Sequence, residues 1–244
     1  MPMSTPPPQF GPSKGAVDRA GVSLRAWWDG WEKERGNPLP EVPTDLLFAF
    51  RAEFQNPMKK VTVGLRQFVA RECDPEVPIT VGQRLKRAPQ IVEKLSRYPK
   101  MKLSRMQDIG GCRAILHGGH DEVRRVAIRI ERNWTIKHRK HYTLAEPAAS
   151  GYRALHIVIE RDGRLIEIQL RTPREHDWAE AIERTDKRLG LDLKSGRGPR
   201  VLLDYFRLAA DGLAMEDAGK TAGLDFMRDF DMARDAARPY FTRE

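Results

Sequence analysis

Cysteine is nearly absent. Only Cys73 and Cys112 occur in 244 residues, with no metal-ligand spacing and no basis for a disulfide framework. That excludes a small disulfide-stapled scaffold and leaves two ordinary thiols, as expected for a cytoplasmic protein in a reducing compartment. Long hydrophobic runs are missing too. No stretch approaches the ~18 apolar residues of a membrane span. The first residues, MPMSTPPPQFGPSKGA, contain no apolar segment of the secretory type, and residues 1–20 are expected to form a disordered proline-rich tail. No internal repeat, Walker A loop, zinc-finger spacing or RNP signature is present, which excludes solenoid, P-loop and common RNA-reader architectures.

What the chain has in excess is positive charge. Its 43 Lys+Arg stand against 34 Asp+Glu, a net charge of +9. Hydrophobic residues make up 40% and charged residues 32%, enough for one substantial core or two small ones in a water-soluble protein. A basic excess favours anionic partners such as nucleotides, tRNA or other nucleic acids, although many basic soluble proteins bind none. The bases concentrate in GQRLKRAPQIVEKLSRYPKMKLSR (82–105) and KHRKHY (137–142).

Periodicity predicts the elements. Residues 23–35 form a helix capped by Ser23, with Leu24, Trp27, Trp28 and Trp31 as a core-facing stripe. Gly36-Asn37-Pro38 ends it. Helices over 44–54 and 58–72 follow, separated by Asn56-Pro57, and a basic helix lies near 88–96. From residue 108 the pattern changes. It reads as a strand (111–116), an amphipathic helix (121–134), an alternating strand (135–142), a hairpin within 151–172 and a helix (173–189) with Pro173 in its first turn. This order predicts an α+β fold with a mostly antiparallel mixed sheet and helices on its apolar face. The core is expected over 81–190, N-terminal helices over 21–80 and C-terminal helices over 191–244 (at 199–214 and 221–237).

The hairpin carries the polar chemistry. Asp162-Gly163 is a two-residue turn signal of type I′, which needs positive φ. That register puts Leu155, Ile157, Ile159, Ile166, Ile168 and Leu170 on one face. Tyr152, Ala154, His156, Val158, Glu167, Gln169 and Arg171 share the other. A solvated sheet face would account for the polar set equally well. Two details favour chemistry. Glu167, Gln169 and Arg171 stand at steps of roughly 7 Å along one strand, a reach suited to a metal ion and phosphates. Ala154, opposite Arg171, leaves a gap beside them.

The ordered blocks RLK…EKL, MQDIGGCRAI, GYRALH, EIQLRT and HDWAE, from about Arg84 to Lys187, resemble the synthetase domain of RelA/SpoT homologues. The resemblance implies a nucleotidyltransferase-like synthetase core. Its reaction moves the β,γ-pyrophosphate of ATP, with Mg²⁺, to a ribose 3′-hydroxyl. The usual acceptor is GDP or GTP, giving the alarmones ppGpp and pppGpp. A toxic branch instead modifies the 3′-terminal adenosine of tRNA and is commonly paired with an antitoxin protein. No HD dipeptide with flanking histidines precedes residue 80, so the resemblance is to a small, synthetase-only member.

The resemblance also assigns roles. Arg84, Lys86 and Lys94 match the bases that hold ATP phosphates, a role suited to the charge of phosphoryl transfer; alone they read equally as a solvated basic face. Asp108 matches the Mg²⁺ ligand, a hard carboxylate for a hard cation. Arg113 matches an Arg lining the ATP site. Glu167 matches the essential Glu, which completes the metal site or accepts the hydroxyl proton. Tyr152 matches the aromatic that stacks on the acceptor base. His156, Gln169 and Arg171 share its face as acceptor-side residues. One loop departs from the family: HYTLAEPAASGY puts His141 where Asp is usual and Ala148 where a Lys follows the Pro. That favours tRNA, which gains affinity from distant phosphate contacts; Lys137, Arg139 and Lys140 are the candidate tRNA-binding bases. A non-catalytic nucleotide- or RNA-binding module is the third reading.

Overall fold

A computed structural model describes residues 11–34, 41–77, 79–142 and 150–241. In chain order the helices are α1 (Lys14–Glu34), α2 (Glu41–Ala52), α3 (Gln55–Glu72), α4 (Ala88–Arg97), α5 (Gly119–Asn133), α6 (Pro173–Leu189), α7 (Arg200–Asp217) and α8 (Leu224–Ala237). The strands are β1 (Thr80–Leu85), β2 (Gly110–Ile115), β3 (Ile136–Tyr142), β4 (Ala154–Arg161) and β5 (Arg164–Arg171). They form one mixed sheet in the order β1-β2-β5-β4-β3, so the predicted α+β class is the observed one. Among the described residues no helix is long and apolar enough to cross a membrane.

The chain divides into two compact units. The first comprises Met1–Val63, Gly82–Cys112 and Val158–Glu167, and the second Gly64–Val81, Arg113–Ile157 and Ile168–Glu244.

In the first unit, α1 starts earlier than the sequence suggests. Its buried stripe is Val17, Ala20, Gly21 and Leu24, and Ser13 rather than Ser23 caps it, accepting from the Ala16 amide at 3.3 Å. Part of the expected disordered tail is therefore helix, because apolar residues continue the stripe upstream. Trp27 and Trp28 are only half-buried and meet edge-on at 6.2 Å. The helix is tied to its neighbours by polar bonds: Arg25 donates to the carbonyls of Leu95 and Met101 at 2.7 and 2.8 Å. Asn56-Pro57 does not separate two helices but lies in the first turn of α3, where a missing N–H costs nothing. The hairpin turn is as expected, with Asp162 and Gly163 both at positive φ (49° and 73°). Strand β1 is an addition: TVGQRL buries only Val81, too little apolar alternation to be read as a strand.

In the second unit, α6 has a complete start signal. Thr172 accepts from the Glu175 amide and Glu175 accepts from the Thr172 amide, a capping box with Pro173 at the first position. Gly190 closes the helix at φ 65°. An aromatic core then forms from Tyr152, Trp178 and Phe206 with Ile182, Leu193, Leu202 and Ala210. The Trp178 indole donates to the Phe206 carbonyl at 2.8 Å. Gly151, at φ 87°, lies so close to α7 that a Cβ would stand 2.9 Å from Ala210 Cβ. This core covers the Tyr152–Ala154 end of the polar face, so helices do not pack on the apolar face alone.

Both thiols are buried or half-buried and free. Burial pushes Cys112 up to about 11, and burial with the neighbouring Glu122 pushes Cys73 up to about 12. Neither is a nucleophile at neutral pH.

Candidate active site

In the first unit, the end of β1 and the loop before β2 bring three charges together. Lys86 N donates to the Ile109 carbonyl at 2.8 Å, which fixes the Lys86 side chain beside Asp108. The Asp108 Oδ2 atom receives Lys94 at 2.7 Å and Lys86 at 3.2 Å. Lys94 comes from α4, whose buried face is Ala88, Ile91, Val92 and Leu95. Burial alone would raise the Asp108 pKa, but the two ammonium groups outweigh it and hold the carboxyl below its ordinary value. Its second oxygen, Oδ1, is buried and has no hydrogen-bond partner among the described residues. Arg84 donates to the Gln90 side chain in the first turn of α4.

Glu167 is half-exposed on β5, between Ile166 and Ile168, which are fully buried. Gly111 on β2 sits in the sheet next to it: a Cβ there would lie 3.6 Å from the Glu167 carbonyl and 3.8 Å from that of Arg84. Arg84, Lys86, Lys94, Asp108 and Glu167 all lie in the first unit.

A metal ion would find a fitting donor here. An orphaned carboxylate oxygen with a low pKa suits Mg²⁺, which needs only one or two carboxylates plus phosphates and water. No cluster of three or more His, Cys, Asp or Glu that could hold a metal occurs among the described residues.

In the second unit, the residues expected on the acceptor side cluster around Tyr152. Its hydroxyl pairs with His156 Nε2 at 2.7 Å and receives Arg171 Nη2. Arg171 also donates to Gln169 at 2.8 Å, and its guanidinium carbon lies 4.9 Å from the Tyr152 ring centre. The ring meets Tyr142 and Trp178 at 5.5 and 6.3 Å. The sequence reading has Tyr152 as an open stacking platform and Arg171 as a face-exposed phosphate ligand. The structure leaves them 5% and 1% exposed, because α6 and α7 return to cover this end of the sheet. Tyr142 and His156 are the half-buried aromatic groups of the cluster.

Arg113, expected at the ATP site, lies in the second unit. It donates to Glu180 at 3.2 Å and to His176 Nδ1 at 3.3 Å. Burial, then Arg113, lowers the His176 pKa, so the ring is neutral and its Nδ1 can accept. Lys137, Arg139 and Lys140 are exposed on β3, at the sheet edge. Arg139 pairs with Glu131 at 2.6 Å, and Lys140 lies 4.6 Å from the Tyr142 ring centre. His141 is exposed, its pKa lowered by partial burial and by Arg139. Ala148 lies outside the described residues. Sequence reading missed Lys194, whose ammonium stands 5.0 Å from the Tyr152 ring centre. Its segment, LDLKSGRG, has no periodicity that would have marked it.

Comparison with known proteins bears on the family and the fold. Residues 83–186 match the family model described as the region found in RelA / SpoT proteins. An uncharacterized protein of Mycobacterium tuberculosis is 27% identical over 191 residues, covering 78% of this chain and 64% of the relative. An uncharacterized protein of Mycobacterium bovis matches to the same extent; the chain spans under two thirds of the length of these curated relatives. Among solved structures, the small alarmone synthetase 1 from Bacillus subtilis, bound to its product pppGpp, superposes with a TM-score of 0.59 at 25% identity, over 70% of this chain and 92% of that one. A GTP pyrophosphokinase family protein from Streptococcus pneumoniae gives 0.55 at 24%, over 77% and 96%.

Proposed function

We propose that this chain, which carries a RelA/SpoT-homologue synthetase domain over residues 83–186, is an ATP-dependent pyrophosphokinase whose acceptor is GDP or GTP. The observation that carries the reading is Asp108: one oxygen is held by Lys86 and Lys94, the other is buried and unpartnered among the described residues. Such an arrangement suits a magnesium-bound triphosphate.

In the proposed reaction the acceptor 3′-oxygen attacks the β-phosphorus of ATP. The bond between that phosphorus and the oxygen bridging it to the α-phosphorus breaks, and AMP leaves with the electron pair. Glu167 accepts the hydroxyl proton. Arg84, Lys86 and Lys94 bind the triphosphate oxygens and stabilise the charge spread over them in a loose transition state. Asp108, with Glu167 as the second carboxylate, would hold Mg²⁺, which when bound supplies further charge neutralisation. The half-buried rings of Tyr142 and His156 take the acceptor base, with Tyr152, Gln169 and Arg171 fixing their geometry. The pppGpp-bound relative supports the guanosine acceptor.

The test is incubation with ATP labelled on its γ-phosphate, Mg²⁺ and GDP, GTP or deacylated tRNA. Label is expected on the guanosine nucleotide. Label on none of the three would defeat the reading.

One observation favours tRNA as a second acceptor reading: edge strand β3 exposes Lys137, Arg139 and Lys140 together. A neutralising antitoxin protein would then be the expected partner. In that case replacing the three bases impairs transfer to tRNA and flattens its salt dependence by about 0.7–0.9 log units per lost phosphate contact. Guanosine transfer that is unaffected by the replacement, with tRNA unlabelled, rejects this second reading.

A further inference from the structure

Three cations and three carboxylates meet near Tyr152 in the second unit. Arg171 is 1% exposed, and its Nε and Nη1 have no hydrogen-bond partner among the described residues. Its Nη2 is committed to Tyr152 and Gln169. Arg113 is paired with Glu180. Lys194 arrives from a separate 3₁₀ turn, Leu193–Ser195. It is bound to Glu183, stands over the Tyr152 ring and keeps its side chain 33% exposed. Glu175, Glu180 and Glu183 face these cations, yet two buried donors of Arg171 meet no acceptor among the described residues. A buried cation with open donors is costly unless an anion meets it.

We infer that Lys194 is a further substrate-binding residue, the cation that receives a phosphate of the acceptor nucleotide beside Tyr152. This rests on the proposed pyrophosphate transfer. Arg171 is too deeply buried and too fully engaged to move; it is a positioning residue that holds Tyr152 and Gln169. Lys194 is the mobile partner. Its four-carbon stem lets the ammonium exchange Glu183 for a phosphate oxygen. Burial, with Arg171 and Arg113 nearby, lowers its pKa despite Glu183, so an arriving phosphate relieves an existing strain.

The experiment is steady-state transfer from ATP to GDP and to GTP by wild type, Lys194→Met, Lys194→Arg and Glu183→Gln, each checked for folding by circular dichroism and melting. Lys194→Met is expected to raise the acceptor KM about tenfold or more, the loss of one charge-assisted hydrogen bond, with the ATP KM unchanged. Lys194→Arg keeps most of the acceptor affinity. Glu183→Gln, which releases the ammonium, leaves the acceptor KM equal or lower. An unchanged acceptor KM in Lys194→Met overturns the inference, as does a rise in the ATP KM instead. So does a Glu183→Gln defect matching that of Lys194→Met, the signature of a structural ion pair. If Lys194→Met does not fold, Lys194→Arg and Glu183→Gln decide by the same criteria. If wild type transfers nothing to either nucleotide, the functional reading fails. Calorimetric titration of GDP into wild type and Lys194→Met then judges Lys194 separately: tenfold weaker binding supports it, while equal binding, or none to wild type, overturns it.

Discussion

Around Asp108 one carboxylate faces two ammonium groups, and the carboxylate keeps a low pKa despite its burial. Around Tyr152 cations pack against aromatic rings, and burial lowers the pKa of Lys194. The same physical cost, desolvation, is thus outweighed in the first unit and left unmet in the second. The construction differs as well. The first cluster comes from residues 84–108, a short stretch whose spacing already groups its charges. The second is assembled from β4, β5, α6 and a turn near residue 194, and aromatic packing holds it. The first cluster pairs a buried carboxylate with two ammonium groups, and the second packs its cations against aromatic rings.

Four measurements would break or sharpen this contrast. The largest effect is expected from Asp108→Asn. It should lower pyrophosphate transfer by about 10⁴-fold, or ~5 kcal/mol of transition-state stabilisation, while the melting temperature stays close to wild type. Transfer within a factor of about ten of wild type would remove Asp108 from the reaction centre. Next is Trp178→Ala in the second unit. Loss of a buried indole and its bond to Phe206 should destabilise the fold by ~3–4 kcal/mol, read by denaturant titration. A cost below ~1 kcal/mol would show that packing does not hold the Tyr152 cluster.

Lys94→Ala comes third. ATP affinity measured by calorimetry should fall about tenfold at low ionic strength and by less at high salt, because screening weakens a partly exposed charge. An effect independent of salt would mean that Lys94 acts through packing. The smallest effect is on acid stability. The folded Asp108 pKa lies below the ordinary Asp value of about 3.9, so its contribution is complete above that pH. It is lost as the pH falls through the folded value. Wild type should therefore lose stability more steeply than Asp108→Asn below about pH 4. Parallel curves would show that the lysine pair does not depress this carboxyl.

Much of this was readable in advance, for local reasons. The Asp162-Gly163 turn fixed the hairpin register, and alternation from that turn placed Ile166, Ile168 and Leu170 in the core with Glu167 and Gln169 on the other face. The Thr172–Glu175 start of α6 is likewise written in four residues. Other features were not readable. Strand β1 buries a single valine, so it shows no period and is made by its neighbour β2. The start of α1 depended on which apolar stripe finds a partner. The burial of Tyr152 and Arg171 depended on α7, some fifty residues downstream of Tyr152.

By itself the sequence determined the α+β class and the hairpin with its two faces. Each of these follows from spacing within a few residues, where backbone geometry dictates direction. Only the tertiary structure decided that one Asp108 oxygen would be left without a partner, that Tyr152 and Arg171 would be buried, and that Lys194 would stand over the Tyr152 ring. Those outcomes depend on which distant helices cover a face. Burial and desolvation are properties of the assembled chain and leave no periodic trace in any one segment.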